Sequence, residues 1–302
     1  VHQHRREPLD VIHGLWADEP GGLAVIAGRL LGVPSIVSLL GGELIALPDG
    51  GYGGQQSRVN RWLVHIALRG AEQVTAGSNY LCRLARDHVR RGKLELMPLG
   101  VDTRRFHPEA EAGNATQLCG QGIKLLHVGS LVPVKDQTML LRAFSHVVGE
   151  LPDMQLHIVG DGPLLRDLQE LAASLGVMER VTFHGAVSHD QMPAYYRAAD
   201  LCVLSSRHES QGMVVLEAAA CGRATVGTAV GILPDLVPAT RVVPVGDDHA
   251  LADVLVDVLN SPQTLAAMRQ ASQDAVEASY TLRQTVVRLE TLYHDLSAAD
   301  SR

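Results

Sequence analysis

Two glutamates eight residues apart flank a glycine in the run Arg207-His208-Glu209-Ser210-Gln211-Gly212-Met213-Val214-Val215-Leu216-Glu217-Ala218. The run reads as a strand-to-helix turn. Gly212 allows a ligand close to the backbone. A helix beginning there, with Met213 and Val214 in its first turn, offers unpaired N–H groups and a positive dipole end to an anion. That arrangement suits a diphosphate. Glu209, on the loop, would face whatever is attached beyond the phosphates. Glu217, in the second helical turn, could accept hydrogen bonds from ribose hydroxyls. The spacing alone fits a solvated loop residue and an exposed helix residue equally well, so the surroundings must decide.

Those surroundings alternate strand, turn and helix. Short apolar runs at 10–13, 35–40, 73–76 and 94–97 predict strands, with helices over 21–31, 56–69 and 79–88, the last begun by the N-cap candidate Ser78. A polar stretch from Thr103 to Gln121, holding Pro108, Gly113 and Gly120, breaks the rhythm and predicts a linker at 104–121. The alternation resumes with strands at 124–128, 154–159, 181–184, 201–205, 224–228 and 240–243. Helices are expected between them at 136–150, 163–175, 189–198 and 212–221, and then at 248–259, 261–278 and 281–296. Strands joined through single helices need crossover connections, so both sheets should be parallel, and their near-continuous apolar character fits sheets covered on both faces. The expected domains are therefore 1–103 and 122–280, with 281–302 as a terminal helix.

With its motifs in that order, the chain resembles glycosyltransferase family 4 across roughly residues 94–296. The Glu–seven residues–Glu motif is followed by a small-residue helix and Cys221-Gly222. Leu96 to Pro108 is similar to the family's end-of-first-domain signature, and Val128 to Asp136 to its first donor-domain loop. Ile158 to Pro163, Val181 to Gly185 and Ala199 to Ser205 agree in order and spacing. The resemblance implies a GT-B fold, two Rossmann-like domains facing a cleft, with the last helix crossing back to the first. It implies a retaining transferase that moves a sugar from a nucleotide diphosphate sugar to a carbohydrate, lipid or small-molecule acceptor. No cofactor beyond that donor substrate is implied. In the loop Gly129-Ser130, Lys135 falls at the diphosphate-binding lysine, while Ser130 replaces the family's arginine. Val187 matches a position that holds the base through backbone groups. Glu209 would hold donor-sugar hydroxyls and Glu217 the ribose. His13, in Asp10 to Trp16, matches the first histidine of a His-x-His segment near the acceptor, with Leu15 at the second. Glu43 and Tyr52 would line the same side.

The remaining features narrow the class. The net charge of −7 and 4% aromatics argue against a nucleic-acid partner. Residues 1–110 carry 13 Lys and Arg against 11 Asp and Glu, so the first part is the more basic and fits an anionic surface or acceptor. A cytoplasmic location with peripheral contact at the inner membrane face follows as an expectation. Cys82, Cys119, Cys202 and Cys221 have no metal-ligand spacing and read as reduced packing residues, and the absence of D-x-D and H-E-x-x-H leaves no metal site by spacing. Gly160-Asp161-Gly162-Pro163 reads as a tight turn before a helix rather than a dinucleotide fingerprint, because Leu165 stands at the third glycine. The family's opening strand and Gly-rich loop have no counterpart, so the chain reads as a cut through a larger protein, its first domain incomplete. A truncated parallel sheet exposes a strand edge, which invites a homodimer. A sugar-nucleotide 2-epimerase and a non-catalytic nucleotide-sugar binder remain alternatives to a transferase.

Overall fold

The computed structural model describes residues 9–109, 118 and 120–300, which form two compact units. The first comprises the chain up to Leu99, Glu209–Gln211 and the segment from Arg283 onward; the second comprises Gly100–His208 and Gly212–Leu282.

The first unit holds strands β1 (Ile12–Leu15), β2 (Ser35–Leu39), β3 (Gln73–Ala76) and β4 (Leu94–Leu96) in the parallel order β1-β2-β3-β4. Helices α1 (Glu19–Leu31), α2 (Arg58–Gly70) and α3 (Asn79–Ala85) connect them. Every residue of β2 is buried, as a strand covered on both faces requires. Alternation sorts its side chains: Val37 and Leu39 pack with Val25, Val64 and Leu68, while Ile36 joins Met97 and Leu292. Ser78 caps α3 through its Oγ, which accepts from the Leu81 N–H at 3.1 Å. The helix ends at Ala85 rather than His88, where the His88 amide closes a tighter turn onto the Ala85 carbonyl three residues back.

The second unit is a six-stranded parallel sheet. Its strands are β5 (Ile123–Val128), β6 (Met154–Val159), β7 (Val181–Gly185), β8 (Leu201–Leu204), β9 (Thr225–Thr228) and β10 (Thr240–Val243), in the order β10-β9-β8-β5-β6-β7. Helices α4 (Gln137–Glu150), α5 (Leu165–Ser174), α6 (Met192–Ala198), α7 (Met213–Ala220), α8 (Asp248–Leu259) and α9 (Pro262–Ser279) join and follow the strands. Its core packs Leu125, Leu156, Ile158, Leu201 and Val226 against Leu140, Phe144, Leu251 and Leu255, all fully buried. Each such side chain contributes about 1.5–3 kcal/mol. Several helix starts differ from expectation, α6 the most: it begins at Met192 rather than His189, which leaves His189 in the preceding loop. Asp136 is the N-cap of α4 instead of its first residue, its carboxylate accepting from the Met139 amide. α5 begins at Leu165 rather than Pro163, because the Leu164 amide is drawn to the Leu131 carbonyl.

The last helix, α10 (Leu282–Asp300), places Leu289, Leu292 and Tyr293 in the cluster on the Ile36 face of the first sheet. Of the expected linker 104–121, residues up to 109 pack as part of the second unit, with Phe106 buried. Residues 110–117 and Cys119 lie outside the described residues.

Candidate functional site

In the second sheet β5 has β6 on one side and β8 on the other, so the chain reverses direction across the sheet between β5 and β8. Loops leaving the carboxyl ends of two strands on either side of such a reversal diverge and open a crevice. Here those loops are 129–136, carrying Gly129, Ser130 and Lys135, and 205–212, ending at Gly212. They are stitched together at their bases. Ser205 Oγ donates to the Lys135 carbonyl at 2.8 Å, and the Arg207 amide to the Val134 carbonyl at 2.8 Å.

The first loop is held from below by buried polar groups. Gln137 Nε2 donates to the Ser130 carbonyl at 3.0 Å and to His127 Nε2 at 3.2 Å, which leaves His127 Nδ1 to donate to the Val203 carbonyl. Lys135 sits half-buried in a 3-10 turn, its aliphatic stem over Gly129. Ser130 is exposed and supplies no charge. The Gly160-Asp161-Gly162 turn lies flush against this loop. Asp161 accepts from the Leu131 amide, and Gly160 adopts φ 138°, where an added Cβ would run into the Gly129 carbonyl. Its glycines serve loop-on-loop packing.

Gly212 adopts φ 85° and ψ 65°, a left-handed conformation that costs any other L-residue strain, and it is the N-cap of α7. As a glycine it brings no capping side chain of its own to that terminus. Met213 and Val214 are partly exposed in the first turn, and Glu217 follows in the second. The Glu217 side chain is 12% exposed and already held: His189 Nε2 lies 3.2 Å from Oε1, and the Tyr196 hydroxyl donates to Oε2 at 2.7 Å. Arg105 Nη1 in turn lies 2.7 Å from His189 Nδ1, with Nη2 3.2 Å from Asp190. Burial, and then Glu217, push the Tyr196 phenol well above its usual value, so it stays a donor. Arg105, His189 and Tyr196 were missed from sequence, and no spacing signal could have found them. Val187 lies in the same loop as His189, after β7, half-buried.

Glu209 belongs to the first unit, whereas Lys135, Gly212 and Glu217 belong to the second. Within the first unit Ser210 Oγ donates to the Leu40 carbonyl at 2.7 Å, and Gln211 exchanges two hydrogen bonds with the Leu99 backbone. Glu209 and Glu43, after burial, raise the Tyr52 phenol. The buried Glu43 carboxylate accepts from the amides of Ala17, Leu40 and Gly41, which makes it a loop brace. His13 has both ring nitrogens engaged, Nδ1 by the Tyr293 hydroxyl at 2.8 Å and Nε2 by Ser38 Oγ at 2.7 Å. Burial holds its imidazole below the usual 6.5.

Cys202 and Cys221 are buried free thiols, pushed up to about 12 by burial, and so unreactive. Among the described residues, His146, Asp248 and His249 bring metal-ligand atoms within 4.8 Å of one another, a cluster across α4 and α8 that spacing along the chain does not reveal. The two imidazoles stack with centroids 4.4 Å apart, so their in-plane lone pairs do not converge on one point.

Residues 114–275 match the family described as Glycosyl transferases group 1, and residues 1–100 match the Glycosyl transferase 4-like domain. The chain is 34% identical over 236 residues to a GDP-mannose-dependent alpha-(1-6)-phosphatidylinositol monomannoside mannosyltransferase of Mycolicibacterium smegmatis, an alignment covering 74% of this chain and 62% of that protein. It is 27% identical over 308 residues to N-acetyl-alpha-D-glucosaminyl L-malate synthase of Bacillus anthracis, covering 98% and 77%. In fold it resembles sucrose-phosphate synthase from Thermosynechococcus elongatus, with a TM-score of 0.81 at 24% identity over 99% of this chain and 76% of that one. It also resembles Anabaena HepE in complex with UDP-glucose, with a TM-score of 0.77 at 21% identity over 93% and 79%. These neighbours are GT-B glycosyltransferases, and the two parallel α/β sheets are of that class.

Proposed function

Because the chain belongs to the family of glycosyl transferases group 1, we propose that it transfers a sugar from a nucleotide diphosphate sugar to an acceptor hydroxyl, with retention at the anomeric carbon. The observation that carries the reading is the left-handed Gly212 start of α7 at the sheet's reversal point, with Glu217 one turn further on. The diphosphate lies at that helix start and against Lys135. Charge that develops on the leaving group is stabilised there without rearrangement of the protein. Glu217 takes the ribose, backbone groups at Val187 the base, and Glu209 the hydroxyls of the donor sugar. No divalent cation is required, since a lysine and a helix dipole supply the positive field. Ser130 offers no cation where the family places an arginine, so this chain relies on Lys135 more heavily. The acceptor is a carbohydrate, a lipid or another small hydroxyl compound.

The proposed location is cytoplasmic, at the inner membrane face. No helix among the described residues is long and apolar enough to cross a membrane. Leu23, Ile26 and Leu30 on α1 and Val59 and Trp62 on α2 are exposed, and Arg58, Arg61 and Arg69 on α2 are exposed beside them. That combination supports shallow binding to anionic lipid. Trp62→Ser should weaken sedimentation with phosphatidylglycerol vesicles.

Incubation with labelled GDP- and UDP-sugars, with and without acceptors, tests the reading. Acceptor-dependent release of nucleoside diphosphate is expected. Donor isomerisation without acceptor would make the protein a 2-epimerase, and binding without turnover would make it a nucleotide-sugar binder.

A further inference from the structure

We propose that Arg105, His189 and Tyr196 are positioning residues that fix the Glu217 carboxylate for a bidentate grip on two vicinal hydroxyls, making the site selective for ribonucleotides over 2′-deoxyribonucleotides. The proposal rests on the donor-binding reading above and names a determinant of specificity within it.

The hydrogen bonds assign the protons. An arginine has donors only and keeps its charge, so His189 Nδ1, 2.7 Å from Arg105 Nη1, must present a lone pair. The imidazole proton then resides on Nε2, which donates to Glu217 Oε1 at 3.2 Å. Tyr196, fully buried, donates from its hydroxyl to Oε2 at 2.7 Å. Phe106 braces both donors, its ring centroid 5.1 Å from that of His189 and 6.0 Å from that of Tyr196. Among the described residues each carboxylate oxygen therefore has one side-chain donor, and the pair of donors stops the carboxylate from rotating.

An ionised carboxylate oxygen has a second lone-pair site, so two acceptor sites remain, one per oxygen and side by side. Neighbouring 2′- and 3′-hydroxyls of a ribose supply one donor to each. A 2′-deoxyribose leaves one oxygen desolvated without its second bond, and a missing hydrogen bond to a charged group is worth about tenfold or more in affinity. A carboxylate free to rotate would recover part of that loss by turning to the remaining hydroxyl or to water. Discrimination thus depends on the donors behind Glu217 as well as on Glu217 itself.

Calorimetry with the full chain tests this, using GDP, UDP, their 2′-deoxy forms and pyrophosphate as probes. The unmodified protein should prefer the ribonucleotide by about tenfold. Tyr196→Phe and His189→Ala should each reduce that ratio to about threefold or less while leaving pyrophosphate affinity unchanged. His189→Gln, whose amide donates from a similar reach, should restore part of it. His189 is 58% exposed and the phenylalanine keeps the buried ring, so both variants should fold, which a melting curve checks. An unaltered ratio in folded variants would overturn the positioning role. An equal affinity of the unmodified protein for ribo and deoxy forms would overturn the proposal while sparing the donor reading. Failure of every nucleotide to bind would overturn both.

Discussion

Replacing Glu217 with alanine separates recognition of the ribose from recognition of the phosphates. The side chain is 12% exposed and is the acceptor for a fully buried tyrosine hydroxyl. Its removal strands that hydroxyl, at a cost of about 1–3 kcal/mol in stability. The second unit should then melt roughly 2–4 °C lower per kcal/mol lost. For binding, the variant loses charge-assisted hydrogen bonds to the ribose, about 1–3 kcal/mol or roughly 5- to 150-fold in Kd. Pyrophosphate, which meets only Lys135 and the start of α7, should bind with nearly unchanged affinity. Calorimetric titration of GDP, UDP and pyrophosphate into both proteins reads this directly. Glu217→Gln, which keeps an oxygen for Tyr196, should recover stability more than it recovers nucleotide affinity. Equal losses for nucleotide and pyrophosphate would refute the reasoning. They would mean that Glu217 supports the shape of α7 rather than reading the sugar.

Lys135→Ala should weaken nucleotide and pyrophosphate alike, by about tenfold or more, and a chelator should change neither protein's affinity; chelator-sensitive binding would show that a metal carries the diphosphate. Gly160→Ala combines φ 138° with a Cβ directed at the Gly129 carbonyl, so it should lower the melting temperature sharply and disturb the Lys135 loop; native-like melting would show that the two loops are not packed as described. His13 and His184 are both held below the usual 6.5 by burial, so the fold favours their neutral forms. The stability they contribute is fully present above about pH 6.5 and is lost as pH falls below it towards the lowered folded values. Melting curves from about pH 7.5 to 5.5 should show that decline, and His13→Gln should flatten it; an unchanged slope would remove His13 as a contributor.

Much of this molecule was legible in the chain. The runs Met154–Val159 and Thr240–Val243 became strands with the expected bounds; the first is almost wholly buried, as a near-continuous apolar stretch allows, while the second lies at the sheet edge and leaves Val242 exposed. Gly212 signalled a helix start open to a ligand, a local property, whereas its left-handed conformation as the residue ahead of the helix came from the structure. Ser78 announced its cap for the same reason. What surrounds Glu217 was not legible. His189 and Tyr196 reach it across 28 and 21 residues, and Arg105 reaches His189 across 84, distances set by crossover helices and by Phe106 packing into the second unit. The division of Glu209 from Glu217 between two units was equally hidden, although eight residues separate them. Strand order in the second sheet, and with it the reversal between β5 and β8, belongs to the same class. Periodicity reports how each segment buries its own side chains against an unspecified partner. Which partner it meets is settled only when the segments close into one core, and the hydrogen bonds that aim a carboxylate are made at that closure.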